Sequence, residues 1–338
     1  ALMSDPSSTA FIVAKLEEWF ACHGKDYPWR RTRDAYAILV SEVMLQQTQI
    51  TTVLSRRYFE RWMERFPDFS TLAKAEENDV LKAWEGLGYY RRARNLQKLA
   101  RVIVESHQGL MPRDHADILA LPGIGPYTAG AISSFAFDDA QPLVDGNVAR
   151  VLSRLHDDTT PIDSKAGMSQ LWKRATDLVK AATSPRVFNS ALMELGQTIC
   201  RTGSPDCLLC PLKTACKATH PEDLPVKSRR TELTDVDEHV FFVVNNDSVL
   251  LEQEAGSRRT GMWKLPTLPE EHHALPVIHE SRYGITRYRV RLFVHDGPAK
   301  YHLTKNQSFI STTDLPSIVM PSPYRRAVEA ILEKVRGS

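Results

Sequence analysis

The 338-residue chain has no apolar run near the roughly 20 residues that a membrane-spanning helix needs, so a membrane is not an expected partner. Its first stretch, ALMSDPSSTA, lacks the basic and apolar segments of a secretory leader, and the two residues ahead of Met3 read as a cloning remnant. The expected compartment is the cytoplasm, on the nucleoid if the source is bacterial. Cysteine is scarce, with five residues, which in a reducing compartment should be reduced or metal-bound rather than disulfide-paired. Strong net charge is missing as well. Lys and Arg number 43 against 41 Asp and Glu, for a formal charge of +2. Residues 1–220 carry 27 and 25 of these, and the remainder 16 and 16. Affinity for a polyanion must therefore come from local clusters rather than from a global field.

What is present is a globular composition, 42% hydrophobic and 25% charged. The length exceeds one ordinary domain of roughly 100–200 residues, and two domains can each bury a core without staples. Residues 10 to 217 show apolar recurrence at three- and four-residue steps throughout, as in LVSEVMLQQTQITTVLSRRYFERWMERF. The texture changes at KATHPEDLPVKSRRTELTD, where prolines and charges make a linker. Beyond it, HVFFVVNNDSVLLEQE reads as a hairpin about NND, and RYRVRLFVHDG as a half-buried strand. SPYRRAVEAILEKV reads as a closing helix, with Ser322 as N-cap and Pro323 as its first residue. The expected organisation is multidomain: an all-α domain over 8–217, a linker over 218–235 and an α+β domain over 236–338.

Cys200, Cys207, Cys210 and Cys216 have the spacing C-x6-C-x2-C-x5-C. Four thiols this close argue for a metal or a cluster. Zinc takes tetrahedral thiolates and often a C-x2-C knuckle, and a [4Fe–4S] cube takes four thiolates too. Spacing alone leaves both open. Cys22 stands apart and reads as a small buried side chain. In LPGIGPYTAGAI, Gly123 and Gly125 bracket Ile124 between two helix-compatible segments. Such a turn lets backbone N–H groups approach a phosphate. Asp145, in VDGNVARVL, precedes a helix-like run, where Asp-Gly is by default a cap or turn. Glu42 lies among Val40, Val43 and Leu45 of an apolar helix, where a carboxylate is costly. It is either a hydrogen-bonded structural group or an acid whose proton affinity desolvation has raised.

Hairpin, aspartate and four-cysteine loop, in that order, resemble the helix-hairpin-helix DNA glycosylases of the endonuclease III and MutY family over nearly all of residues 10–217. The resemblance implies a [4Fe–4S] cluster on the four cysteines, a DNA grip at Gly123 and Gly125, and an Asp145 that faces the sugar of an extruded nucleotide. Where bifunctional members carry a Schiff-base lysine, this chain has Tyr127, and a phenol forms no Schiff base. A monofunctional enzyme that leaves an abasic site for base excision repair is implied, with Tyr127 holding the sugar or positioning Asp145. SEVMLQQT is similar to the motif of MutY-type adenine DNA glycosylases, glutamate included. It implies that Glu42 protonates adenine at N7, that Asp145 stabilises the oxocarbenium-like sugar and that water completes hydrolysis, parallel to the acid and stabiliser of sugar hydrolases. By the same resemblance Asn147 orients the water or sugar, and Trp29 and Arg30 line the pocket of the flipped adenine. Gln47, beside Thr48, and Tyr89 in GLGYYRRARNL fill the gap and contact the opposite base. Part of the following row, Arg91, Arg92, Arg94, Lys98 and Arg101, reads as DNA contact. The implied substrate is double-stranded DNA with adenine opposite 8-oxoguanine or guanine, bound by a monomer.

The chain departs from the family at two places. Ser190 stands where many members carry Glu or Gln within reach of adenine. The second domain resembles the Nudix-like (MutT-like) domain of MutY enzymes, with GSRRTGMWKLP matching its Gly-hydrophobic-Trp-x-x-Pro stretch. It lacks the clustered glutamates of pyrophosphate hydrolysis, so it should bind rather than catalyse. The family's Phe-Ser-His turn that reads 8-oxoguanine is missing, and Leu303, Thr304 and Lys305 in KYHLTKNQSFI align there, Thr304 offering a hydroxyl. Two rivals remain: a bifunctional endonuclease III-like pyrimidine glycosylase, against which Tyr127 and the second domain argue, and a non-catalytic iron–sulfur DNA-damage-binding protein, against which Glu42 and Asp145 argue.

Overall fold

The structure, a computed structural model, describes residues 5–228, 232–256, 259–298 and 301–336. Part of the linker (229–231), two residues of GSRRTGMWKLP (257–258) and Lys300 of KYHLTKNQSFI lie outside the described residues. The chain divides into two compact units, one of residues 1–74 and 98–230, the other of 75–97 and 231–338.

The first unit is helical, as the periodicity predicts. Its helices start where side chains satisfy the free N–H groups of a first turn. Ser8 caps α1 (Thr9–His23) and Asp34 caps α2 (Ala35–Leu45). Two short helices follow, α3 (Ile50–Ser55) and α4 (Tyr58–Arg65), then α5 (Phe69–Lys74). The chain then passes through α6 (Glu77–Trp84) and the start of α7 (Arg91–His107), which belong to the second unit. It returns to the first, where Asp114 caps α8 (His115–Ala120), which meets α9 (Pro126–Phe137) across the glycine turn. The unit closes with α10 (Gly146–Leu155), α11 (Lys165–Lys180) and α12 (Pro185–Thr198). Most residues of α2 and α9 are buried, as befits helices apolar on nearly every face. They pack on each other, and that contact sets Glu42 beside Tyr127. Cys22 is exposed, against the expectation of burial. It lies outside the stripe of Ile12, Val13 and Leu16 that α1 turns inward.

The second unit carries mixed sheets. Strand β1 (Thr234–Phe242) runs parallel to β6 (Tyr288–Asp296), and β6 pairs antiparallel with β5 (Val277–Ile285). The hairpin expected over HVFFVVNNDSVLLEQE is smaller than it reads. Only β2 (Val244–Asn245) and β3 (Ser248–Gln253) form it, about Asn246 and Asp247 at φ 46° and 63°. His239–Phe242 instead end β1 in the other sheet. Strands β4 (Trp263–Lys264) and β7 (Gln307–Ser311) flank β3. Val290, Leu292 and Val294 alternate inward as predicted, against Tyr324, Ala327 and Val328 of α13 (Ser322–Arg336). That helix begins at Ser322 rather than after it, with the Pro321 carbonyl accepting its first N–H bonds.

Candidate active site

Glu42 sits on α2 with only 6% of its surface exposed. Its Oε2 accepts a 2.7 Å hydrogen bond from the Tyr127 phenol. Burial pushes the Glu42 carboxyl up to about 7, and the nearby Asp145 adds to the rise. The Tyr127 bond and the Arg30 guanidinium pull the other way without cancelling it. Tyr127 itself is pushed well above the usual phenol range by burial and then by Glu42 and Asp145. It therefore stays a donor.

Asp145 is both the helix cap and a cleft group, so the default structural role leaves the residue on the cleft wall. As N-cap of α10 its Oδ1 accepts the Val148 N–H at 2.7 Å, which fixes the carboxylate. Its Oδ2 accepts from Asn147 Nδ2 at 3.0 Å. The Asn147 amide has one orientation, because Arg150 Nη2 donates to its Oδ1 at 2.9 Å. The same guanidinium donates to the carbonyls of Gly196 (2.6 Å) and Cys200 (2.8 Å). Behind Asn147, α12 comes so close that a Cβ on Gly196 would stand 2.8 Å from Asn147 Cβ.

These groups open into one cleft of about 820 Å³, lined among others by Lys25, Glu42, Gln47, Thr48, Tyr127, Asp145 and Asn147. Gln47 lies between α2 and α3 with φ 57°, a left-handed conformation uncommon outside glycine. Beside the cleft is a narrow pocket of about 50 Å³, bounded by Trp29, Arg30, Glu42 and Ser190 together with Tyr27, Arg186, Met193 and Gln197. Trp29 stacks on Tyr27 at 5.1 Å and meets Phe59 edge-on. Gly123 forms the left-handed corner of the α8–α9 turn at φ 80°, and a Cβ on Gly125 would meet nothing within 4 Å.

Tyr89 and Thr304 belong to the second unit. The Tyr89 phenol accepts the Thr286 N–H at 3.2 Å, in the β5–β6 turn. Thr304 bonds instead to Asn306 and Gln307. Much of the basic row is engaged within the protein: Arg92 with the Leu87 and Gly88 carbonyls, Arg94 with Glu77 and the Thr260 carbonyl, and Arg101 with the Ala73 carbonyl. Arg91 and Lys98 stay exposed. Sequence reasoning missed Glu194, which is 1% exposed and pairs with Arg30 and the Lys25 N–H. The signal was there, an acid on the apolar stripe of FNSALMELG. It also missed Arg150, which reads as one more cation on an amphipathic helix.

Cys200 and Cys216 lie against Arg154, which is 2% exposed, and Cys207 and Cys210 are near them. Its Nη1 donates to Cys200 Sγ (3.4 Å) and to the Arg201 carbonyl (2.8 Å), and Cys216 Sγ lies 3.4 Å from the Arg154 carbonyl. Arg154 Nη2 is buried without a partner. A buried guanidinium with a spare donor suits an anionic thiolate-bound group. Four thiolates can serve either a tetrahedral zinc ion or an iron–sulfur cube.

Buried acid, capping aspartate and glycine turn together define a helix-hairpin-helix base-excision domain, and the profile of the HhH-GPD superfamily base excision DNA repair protein matches residues 40–176. The chain is 31% identical over 286 residues to the adenine DNA glycosylase of Buchnera aphidicola subsp. Acyrthosiphon pisum (strain APS), covering 82% of this chain and 80% of that protein. It belongs to the adenine DNA glycosylase family. It is also 44% identical over 226 residues to the adenine DNA glycosylase of Homo sapiens, covering 64% of this chain and 41% of that one. The chain thus spans under half the length of the mammalian relatives it matches, 43% for Mus musculus. A thermostable thymine-DNA glycosylase structure is similar with TM-score 0.56 and 28% identity, over 62% of this chain and 95% of that one. A trapped endonuclease III–DNA covalent intermediate shares the fold, with TM-score 0.51 and 24% identity over 62% and 96%. Among the described residues no helix is long and apolar enough to cross a membrane.

Proposed function

We propose that this protein excises adenine mispaired with 8-oxoguanine or guanine in double-stranded DNA, as a monofunctional glycosylase of base excision repair that works as a monomer in the cytoplasm. The observation that carries the reading is Glu42, buried, bonded by Tyr127 and poised near neutrality in the cleft that holds Asp145. Glu42 gives its proton to N7 of the extruded base. The C1′–N9 bond breaks and its electron pair leaves with the neutral base. Asp145, fixed by its helix, faces the positive charge that develops on the sugar. A water oriented by Asn147 adds to C1′ and yields the abasic sugar, its proton passing to a carboxylate of the pair. Tyr127 keeps a donor on Glu42, so the carboxylate left behind is not stranded in an apolar pocket.

Cys200, Cys207, Cys210 and Cys216 would hold a [4Fe–4S] cluster, which when bound supplies an anionic staple on the loop that follows α12. The sheet unit is read as Nudix-like and as the reader of the opposite base, with Tyr89 and Thr304 as its contacts, and Gln47 is read as a DNA contact of the helical unit. Gln47 and Thr48 at the cleft support the DNA side of this reading, as does the open backbone at Gly125.

Single-turnover assays on duplexes with A opposite 8-oxoguanine, A opposite G, A opposite T and oxidised thymine opposite A test it. Breaks at mispaired adenine that appear only after hot alkali are expected. Breaks at oxidised thymine without alkali would assign the bifunctional activity, with Lys25 of the cleft as the amine. Binding without breaks would assign a sensor.

A further inference from the structure

The narrow pocket beside Glu42 offers few polar groups that are free to read a base. Arg30 is held by Glu194 and the Lys25 carbonyl. Arg186 is held by the carbonyls of Phe135, Arg30 and Thr32. Ser41 donates to the Ile38 carbonyl, and Glu42 is engaged by Tyr127. The Tyr27 ring is covered by Trp29, 5.1 Å away, and by the Arg30 guanidinium over its face. Ser190 has a short hydroxyl on the pocket wall.

Gln197 shares with Ser190 the lack of a side-chain hydrogen bond among the described residues and has the longer reach. It lines both the narrow pocket and the cleft, is half-buried, and its carboxamide makes no hydrogen bond among the described residues. It lies seven residues beyond Ser190 on α12, two turns along the same face, with Met193 between. Helical side chains lean toward the N-terminus, which lets the carboxamide reach back toward the Met193 and Ser190 turns that line the same pocket. A carboxamide sets an acceptor and a donor side by side, and the Watson–Crick edge of adenine presents the complement, an N6–H donor beside the N1 acceptor. Glu42 addresses N7, on a different edge. The pocket of about 50 Å³ has room for one or two waters, so a purine must displace wall groups, and unbranched Met193 and Gln197 are the ones able to swing.

We infer that Gln197 is the specificity-determining residue for the 6-amino group of the excised base, reaching where the short Ser190 hydroxyl on the same wall does not. This rests on the adenine reading above. The test is single-turnover excision of adenine and of purine without the 6-amino group, each opposite 8-oxoguanine, by the wild-type protein, Gln197→Ala and Gln197→Met. Wild type should prefer adenine. Both variants should lose adenine excision roughly ten- to hundredfold, the worth of a bidentate amide contact, and lose far less on the unsubstituted purine, so the preference collapses. Adding Ser190→Gln to Gln197→Ala should restore it. If the variants slow both bases equally, or neither, Gln197 does not read the base and the inference is overturned while adenine excision stands. If wild type releases neither base, the parent reading falls and takes this one with it.

Discussion

At the scale of single residues the proposed chemistry turns on one desolvated carboxyl. Because burial raises Glu42 from 4.5 to about 7, the native state binds more protons than the unfolded chain between those values. Stability from this site is therefore present at low pH and lost as pH rises through that window. The loss amounts to about 3 kcal/mol once the group is charged. Glu42→Gln should melt higher than wild type at pH 8, with the gap closing toward pH 5, even as excision falls roughly a hundredfold or more. Thermal melts across that range check it. Asn147 owes its position to neighbours rather than to itself. Gly196→Ala would place a methyl 2.8 Å from Asn147 Cβ, so the turnover rate of bound substrate should drop while DNA affinity changes little. Active-site titration with separate rate and binding measurements distinguishes the two.

At the scale of elements, two glycines two residues apart do different work. Gly123 turns the chain at φ 80°, so Gly123→Ala should destabilise by about 1 kcal/mol. Gly125 has an ordinary φ of −98° and open space where a Cβ would go. Gly125→Val should leave the melting temperature nearly unchanged, yet weaken DNA binding and flatten its salt dependence if a phosphate comes against that backbone. Melts beside binding isotherms at several salt concentrations decide it. The helices were legible because burying a face imposes a 3.6-residue period, and Glu42 and Asp145 were legible because each violates or ends such a period. The lone Cys22 was misread because composition cannot say which side of α1 meets solvent. The parallel pairing of β1 with β6 was hidden for a related reason: the partners lie over fifty residues apart, and only the local hairpin at Asn246–Asp247 leaves a local signature. Arg150 was invisible because its importance comes from three acceptors brought together by two helices and a loop.

At the scale of the whole molecule, residues 75–97 group with the sheet unit although they lie within the predicted helical domain. Lys82 donates to the Ile318 carbonyl, and Glu85 engages Arg325 and the Met320 N–H. This boundary is not visible in sequence, since an amphipathic helix does not reveal which core receives it. The cysteine loop is the other feature of this scale. Iron and sulfide analysis should find about four of each per chain and no stoichiometric zinc. Arg154→Met should lower cluster retention by withdrawing the guanidinium that sits on Cys200. The most direct test of a proton-donating Glu42 is the pH dependence of single-turnover adenine excision opposite 8-oxoguanine, in wild type and Tyr127→Phe. A general acid acts protonated, so the wild-type rate should hold below about pH 7 and fall above it. Loss of the phenol bond that lowers the Glu42 value should move that fall to higher pH. A rate that is flat across pH 5 to 9, or that rises with pH in both proteins, would contradict the account.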